Sequence, residues 1–246
     1  MSCVFPNPSI NFGNDIYLAL DIMLKGKGLL SAGQRRFLRL FSKTPDGAHF
    51  YLTGGTALAE FYLGHRYSFD LDLFTGEPNL LAPFCRVLET FARKRRHPLQ
   101  VIRRFETFVE YLYQSEPEFR VQLAVDSPFR FAPPVPTEYN VFVNDWEDLS
   151  VDKLLAFYGR VEPRDAVDLY FILEREEAQY LLQRGAEKDP GFDRYWFAVA
   201  CQQVASFPDE IERWGVQLII PVEAAAIKSR LLELADRVMD ELSQTD

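Results

Sequence analysis

GGTALAEFYLGHRYSFDLDLF, residues 54–74, holds two features whose combination decides the reading of the chain. Gly54-Gly55-Thr56 follows a short apolar run, His49 to Leu52, and opens a segment in which Ala57, Leu58, Phe61 and Tyr62 recur at helical spacing, with Thr56 placed as its cap. A strand passing through two glycines into a helix leaves backbone N–H groups free at the helix start, and the partial positive charge there favours phosphate. Glycine suits the position because a side chain would hold phosphate off the backbone. Taken alone, Gly-Gly-Thr is equally an ordinary strand-to-helix turn.

Further along, Phe69 to Phe74 alternates apolar and acidic side chains at the strand period, so Asp70 and Asp72 share one face while Leu71 and Leu73 enter the core. Neighbouring carboxylates repel each other unless a cation neutralises them. Oxygen-only donors favour a hard ion, Mg²⁺ or Mn²⁺, which keeps waters and takes phosphate oxygens as further ligands. A solvated polar strand face is the plain alternative for Asp-x-Asp by itself; the glycine-opened helix close by turns the pair into a phosphate-plus-metal site. A third acidic residue is expected on a neighbouring strand. Asp126, after Val121-Gln122-Leu123-Ala124-Val125, is favoured as metal ligand or proton acceptor, with Glu110 as its substitute and a turn aspartate before Pro128 as the competing reading.

Working outward, helices are expected over 15–24 and 29–43, the second with Leu30, Phe37, Leu38, Leu40 and Phe41 on its apolar side and Arg35, Arg36 and Arg39 opposite. Residues 79–96 read as a helix ending in Arg93-Lys94-Arg95-Arg96. Two extended segments, Gln100–Tyr113 and Phe119–Asp126, are joined at hairpin length by Ser115–Glu118. Pro128, Pro133, Pro134 and Pro136 mark an irregular surface loop. Beyond about residue 144 the pattern is helical: from Asp145 or Asp148 as cap to Tyr158, from Arg164 to about Glu177, then 190–206 and 222–243. The expected fold is α/β (α+β): a mixed or antiparallel sheet with flanking helices over residues 1–140, followed by an all-helical half over 141–246.

Composition bounds the rest. With 48% hydrophobic and 26% charged residues the chain reads as an ordinary globular protein, and no run approaches the length needed to span a bilayer. Its formal net charge of -9 gives it no overall attraction to phosphate backbones, although screening leaves room for a local basic patch. Cys3, Cys85 and Cys201 lack metal-ligand spacing, and the N-terminus lacks a basic n-region and apolar h-region. A reduced, cytoplasmic protein with no membrane partner is the expectation.

Residues 54–74 resemble the signature of the AbiEii/AbiGii-type nucleotidyltransferase toxins, relatives of the MenT toxins within the DNA polymerase β-like superfamily. The likeness lies in Gly54-Gly55-Thr56 and in His65-Arg66-x-Ser68-x-Asp70-x-Asp72-Leu73-Phe74. A second block, Asp148-Leu149, Lys153-Leu154, Ala156, Arg160 and Arg164-Asp165-x-x-Asp168-Leu169, follows in family order. The resemblance implies that Asp70 and Asp72, with Asp126, hold Mg²⁺ or Mn²⁺. It implies that Gly54, Gly55, Thr56, Arg66, Ser68 and Arg164 face a nucleoside triphosphate, and that Lys153 offsets phosphate charge. Asp168 is implied as a further cleft residue, with Asp165 its rival three positions away. Arg164 has a structural alternative, an ion pair with Asp168 at i+4, and the residue chemistry leans that way. His65 is read as structural rather than as a general base.

The implied reaction is attack of an acceptor hydroxyl on the α-phosphate with release of pyrophosphate. Transfer RNA or another RNA is the favoured acceptor, a protein the second, and a cognate antitoxin is an expected partner. Arg93–Arg96, with Arg103-Arg104, is the cationic run that would suit RNA; solvated helix ends look the same. Two other classes stay open: a catalytically degenerate nucleotide-binding protein, and an interaction module presenting apolar surface on residues 190–243.

Overall fold

The alternation at Asp70–Asp72 places it at the centre of a sheet in the computed structural model, which describes residues 23–244. β1 (Tyr51–Thr53), β2 (Leu71–Thr75), β3 (Leu99–Arg104), β4 (Phe108–Tyr113), β5 (Phe119–Val125), β6 (Val135–Pro136) and β7 (Phe142–Val143) form one mixed sheet in the order β3-β4-β5-β2-β1-β7-β6. β2 runs antiparallel to β1 and parallel to β5, with Asp72 between Thr53 and Gln122. Leu71 and Leu73 are fully buried, as the period of 2 requires, and leave Asp72 and Phe74 on the opposite face.

The buried face is filled by rings. Phe37 and Phe41 of α1 (Ala32–Phe41) meet Phe50, Tyr113 and Phe119, and Phe84 of α3 (Leu81–Lys94) stacks 4.3 Å from Phe50. Directly after β1 comes α2, which starts at Gly54–Ala57 and continues as a π-helical stretch over Leu58–Leu63. The helical half contributes α4 (Trp146–Arg160), α5 (Pro163–Ile172), α6 (Ala178–Lys188), α7 (Arg194–Gln202) and α8 (Ala224–Ser243). A single apolar cluster runs through both halves, from Phe37 and Leu73 to Phe157, Phe197 and Leu231. Among the described residues no helix is long and apolar enough to cross a membrane. Cys85 and Cys201 are buried free thiols.

Several expectations are corrected. Residues 15–22 of the first expected helix, like Cys3, lie outside the described residues, and Leu24 is extended, bridging to Thr137. The run Gln100–Tyr113 is two strands: Phe105 N–H closes a turn on Phe108 O at 2.7 Å, without the glycine, proline or asparagine that would have signalled it. No helix was expected over 178–188, yet α6 forms there. Its Gly185 would normally weaken a helix, but a Cβ at that position would lie 3.1 Å from Leu154, so glycine lets α6 close on α4. Thr56 is not the cap of α2; Thr53 holds that position. Asp145, not Asp148, caps α4, through the N–H groups of Glu147 and Asp148. Asp148 is instead fully buried, where it fastens the proline-rich loop by the N–H groups of Phe131 and Ala132 and binds Lys188 of α6 at 2.6 Å.

Candidate active site

Between the polar face of the sheet and α4 lies a cleft of about 520 Å³. Asp70, Asp72 and Asp126 give it an acidic wall on the sheet side; Arg66, Lys153, Arg160 and Arg164 supply a basic wall, with Asp152 next to Lys153 on α4. Asp72 projects from the middle of β2, and among the described residues its carboxylate takes no hydrogen bond or ion pair. Burial, with the added repulsion of Asp70, outweighs Lys153, Arg164 and Arg160 and pushes its pKa up to about 6. Asp70 precedes the strand, and among the described residues its carboxylate accepts only the Arg120 N–H, at 3.2 Å on Oδ1.

The glycines have a role beyond phosphate access. Gly54 has φ +70°, and a Cβ on it would sit 2.1 Å from Asp72 Oδ2; a Cβ on Gly55 would sit 2.4 Å from Arg66 Nη2. The absent side chains therefore make room for the carboxylate and the guanidinium themselves. Thr56 is buried and does not line the cleft; its hydroxyl donates to the Asp70 carbonyl and so fixes the start of β2.

Behind the basic wall stands Asp168, fully buried on α5. It accepts Arg66 Nε and Nη2 at 2.6 and 2.8 Å, Lys153 Nζ at 2.8 Å and His65 Nε2 at 2.7 Å. Burial alone would raise its pKa, but Arg66, Lys153 and these hydrogen bonds hold it well below the usual carboxylate range. Burial also lowers the pKa of His65, so the ring is a neutral donor whose Nδ1 has no partner among the described residues. Asp165 is likewise buried and grips Arg160 at 2.5 and 2.7 Å. The rivalry between the two aspartates thus ends in a division: neither lines the cleft, and each anchors cations that do. Arg164 pairs with Glu162 at 2.7 Å, not with Asp168, because Arg66, Lys153 and His65 already surround that carboxylate.

The expected third carboxylate is not brought beside the pair. The β2–β5 register sets Gln122 level with Asp72. Asp126 lies four residues further on, roughly 13 Å along the strand, and accepts the Tyr51 hydroxyl. Glu110 faces Gln122 from β4 but is held by Arg103 at 2.8 Å, Gln122 at 3.3 Å and Arg120 at 3.5 Å, and does not line the cleft. Among the described residues no group of three or more His, Cys, Asp or Glu is placed to hold a metal ion.

Other cleft residues went unassigned. Leu149, Asp152, Lys153, Ala156 and Arg160 form one face of α4 at helical spacing, so Asp152 and Arg160 were legible beside Lys153. Tyr67, Phe69 and the Gly215–Gln217 turn carried no such signal. The basic run is partly neutralised: Arg104 pairs with Glu89 and Arg103 with Glu110, whereas Arg93, Lys94, Arg95 and Arg96 are exposed.

Paired aspartates on a central strand, faced across a cleft by Lys153 and Arg160 of α4, are the arrangement expected of a nucleotidyltransferase. The fold agrees. A crystal structure from Helicobacter pylori described as a nucleotidyltransferase has a TM-score of 0.54 and 14% identity, covering 87% of this chain and 95% of that one. MenT4, a nucleotidyltransferase toxin from Mycobacterium tuberculosis H37Rv, has a TM-score of 0.57 and 17% identity, covering 85% and 82%. No curated protein sequence matches the chain. The family model of the AbiEii nucleotidyl transferase toxins, of type IV toxin–antitoxin systems, matches residues 36–196, and the chain belongs to that family.

Proposed function

We propose that this nucleotidyltransferase moves a nucleoside monophosphate from a nucleoside triphosphate to an acceptor hydroxyl, with RNA such as tRNA preferred over protein, and that it acts as a toxin restrained by a cognate antitoxin. The observation that carries the reading is Asp72, a carboxylate without an internal partner, set against a basic wall. Such a group fits a hard cation: its oxygens are uncommitted, Asp70 stands two residues away, and a Mg²⁺ or Mn²⁺ held by two carboxylates takes phosphate oxygens and water for the rest. When bound, that cation would neutralise the aspartates and draw charge from the reacting phosphate.

The chain's own residues do the remainder. Arg160, Arg164 and Lys153 offset the triphosphate's negative charge, and Ser68 and the start of α2 face it from the sheet side. Asp168 acts at one remove, as a positioning residue that orients Arg66 and Lys153. Asp126, a strand's length from Asp72, is left outside the metal set.

A second reading, a nucleotide-binding module without turnover, is favoured by one feature: the residue level with Asp72 on β5 is the neutral Gln122, with the expected third carboxylate, Asp126, four positions further on. Incubation with each α-labelled triphosphate, Mg²⁺ or Mn²⁺ and total tRNA, beside Asp72→Ala, separates the two. Labelled RNA that disappears in the variant supports transfer to RNA, and labelled protein moves the acceptor to protein. Metal-dependent nucleotide binding without any transfer supports the module.

A further inference from the structure

The mouth of the cleft carries recognition groups that nucleotidyl transfer itself does not use. Tyr67 and Phe69 line it as residues 43% and 48% exposed, and among the described residues neither ring touches another ring. Gln217 lines it from the helical half, exposed, its side-chain amide without a partner among the described residues. Gln217 lies beyond the residues 36–196 that the family model matches.

These side chains are free, but their backbone is held on every side. Gln34, itself buried, donates Nε2 to Phe69 O at 2.8 Å and Ser68 O at 3.1 Å. Tyr67 N–H donates to Gln217 O at 2.8 Å, and Ile219 and Ile220 donate to His65 O at 2.8 and 3.1 Å. The turn at Gly215, φ +67°, follows Trp214, which is buried against Phe207 and bonded to Pro208 O at 2.9 Å. Exposed rings on a fixed backbone lose little freedom on binding and leave apolar faces in water until something flat covers them.

We propose that Tyr67, Phe69 and Gln217 form a nucleobase subsite, in which a base stacks on the aromatic rings and its edge is read by the Gln217 amide. The proposal deepens the nucleotidyltransferase reading and rests on it. Its chemistry is specific to a base: stacking accepts any π-face, while one amide supplies both a donor and an acceptor for the hydrogen-bonding edge. Phe69 adjoins Asp70 in the chain, so the subsite borders the acidic wall where phosphate would bind. The base belongs either to the triphosphate or to the terminal nucleotide of an RNA acceptor.

The test uses the full chain with Mg²⁺, the four nucleoside triphosphates and inorganic tripolyphosphate, a probe with no base. Wild type is compared with Phe69→Leu, Phe69→Trp and Gln217→Ala. Phe69→Leu is expected to weaken nucleotide binding about 5- to 100-fold, with Phe69→Trp restoring it and Gln217→Ala narrowing the preference among bases. Tripolyphosphate binding stays unchanged throughout. The same pattern seen only in KM for RNAs that differ in their terminal base also upholds the subsite and assigns it to the acceptor. The proposal is overturned if neither measurement moves in Phe69→Leu and Gln217→Ala, or if tripolyphosphate affinity falls in step with nucleotide affinity. A wild type that binds neither nucleotide nor tripolyphosphate overturns the nucleotidyl-transfer reading itself, whereas normal wild-type binding with insensitive variants overturns the subsite alone.

Discussion

Asp72 is half-buried at the cleft and Asp168 fully buried behind it, and their surroundings drive them in opposite directions. The folded-state pKa of Asp72 is raised to about 6, so the folded protein holds that proton more tightly than the unfolded chain. Its effect on stability is least harmful below the ordinary value of 3.8 and grows as pH rises to about 6. Asp72→Asn is therefore expected to stabilise the metal-free protein above pH 6 by about 3 kcal/mol while abolishing transfer; equal denaturation midpoints at pH 7.5 would contradict this. Mg²⁺ should raise the wild-type melting temperature at pH 7.5 and much less at pH 5. Asp168 has the reverse sign: its pKa is depressed, so its contribution is present above the ordinary carboxylate range and lost only in strong acid. Asp168→Asn leaves Arg66 and Lys153 without their buried counter-charge and should cost about 3–5 kcal/mol, read by chemical denaturation at pH 7.

At the scale of the element, α1 links stability to the site. Ser31 and Gln34 form a reciprocal capping box at its start, and Gln34 also holds the carbonyls of Ser68 and Phe69. Ser31→Ala should cost about 1 kcal/mol with turnover unchanged, whereas Gln34→Ala should cost more and raise KM as well. A Gln34→Ala enzyme with normal KM would show that the cap and the cleft are independent. What the sequence made legible follows the same division. β2 and α4 were readable because their periods of 2 and 3.6 are strict at Asp70–Leu73 and at Lys153, Ala156 and Arg160. The turn at Phe105–Thr107 was hidden because it contains no Gly, Pro, Asn or Asp, and α6 because Gly185 serves packing against Leu154. Asp126 could be set on the right strand but not at its register, because pairing is decided by the whole sheet. Gln217 was invisible in principle: only the long-range bonds of residues 217–220 to 65–67 bring it to the cleft.

For the whole molecule, a net charge of -9 coexists with a cleft lined by both carboxylates and cations. Long-range attraction for a polyanion is weak, so the proposed RNA acceptor would have to be drawn by local surface. Exposed Arg93, Lys94, Arg95 and Arg96 are the available patch, and replacing all four with alanine should raise KM for RNA about 10-fold at low salt without changing triphosphate binding. An unchanged KM would place RNA elsewhere. The central claim, transfer of a nucleotidyl group dependent on Asp72, is tested most directly by where the label goes. With Mg²⁺ and acceptor RNA present, α-labelled triphosphate should label the acceptor and γ-labelled triphosphate should release labelled pyrophosphate, and Asp72→Asn should abolish both. Label reaching the acceptor from the γ-position, or transfer that survives Asp72→Asn, would contradict the account.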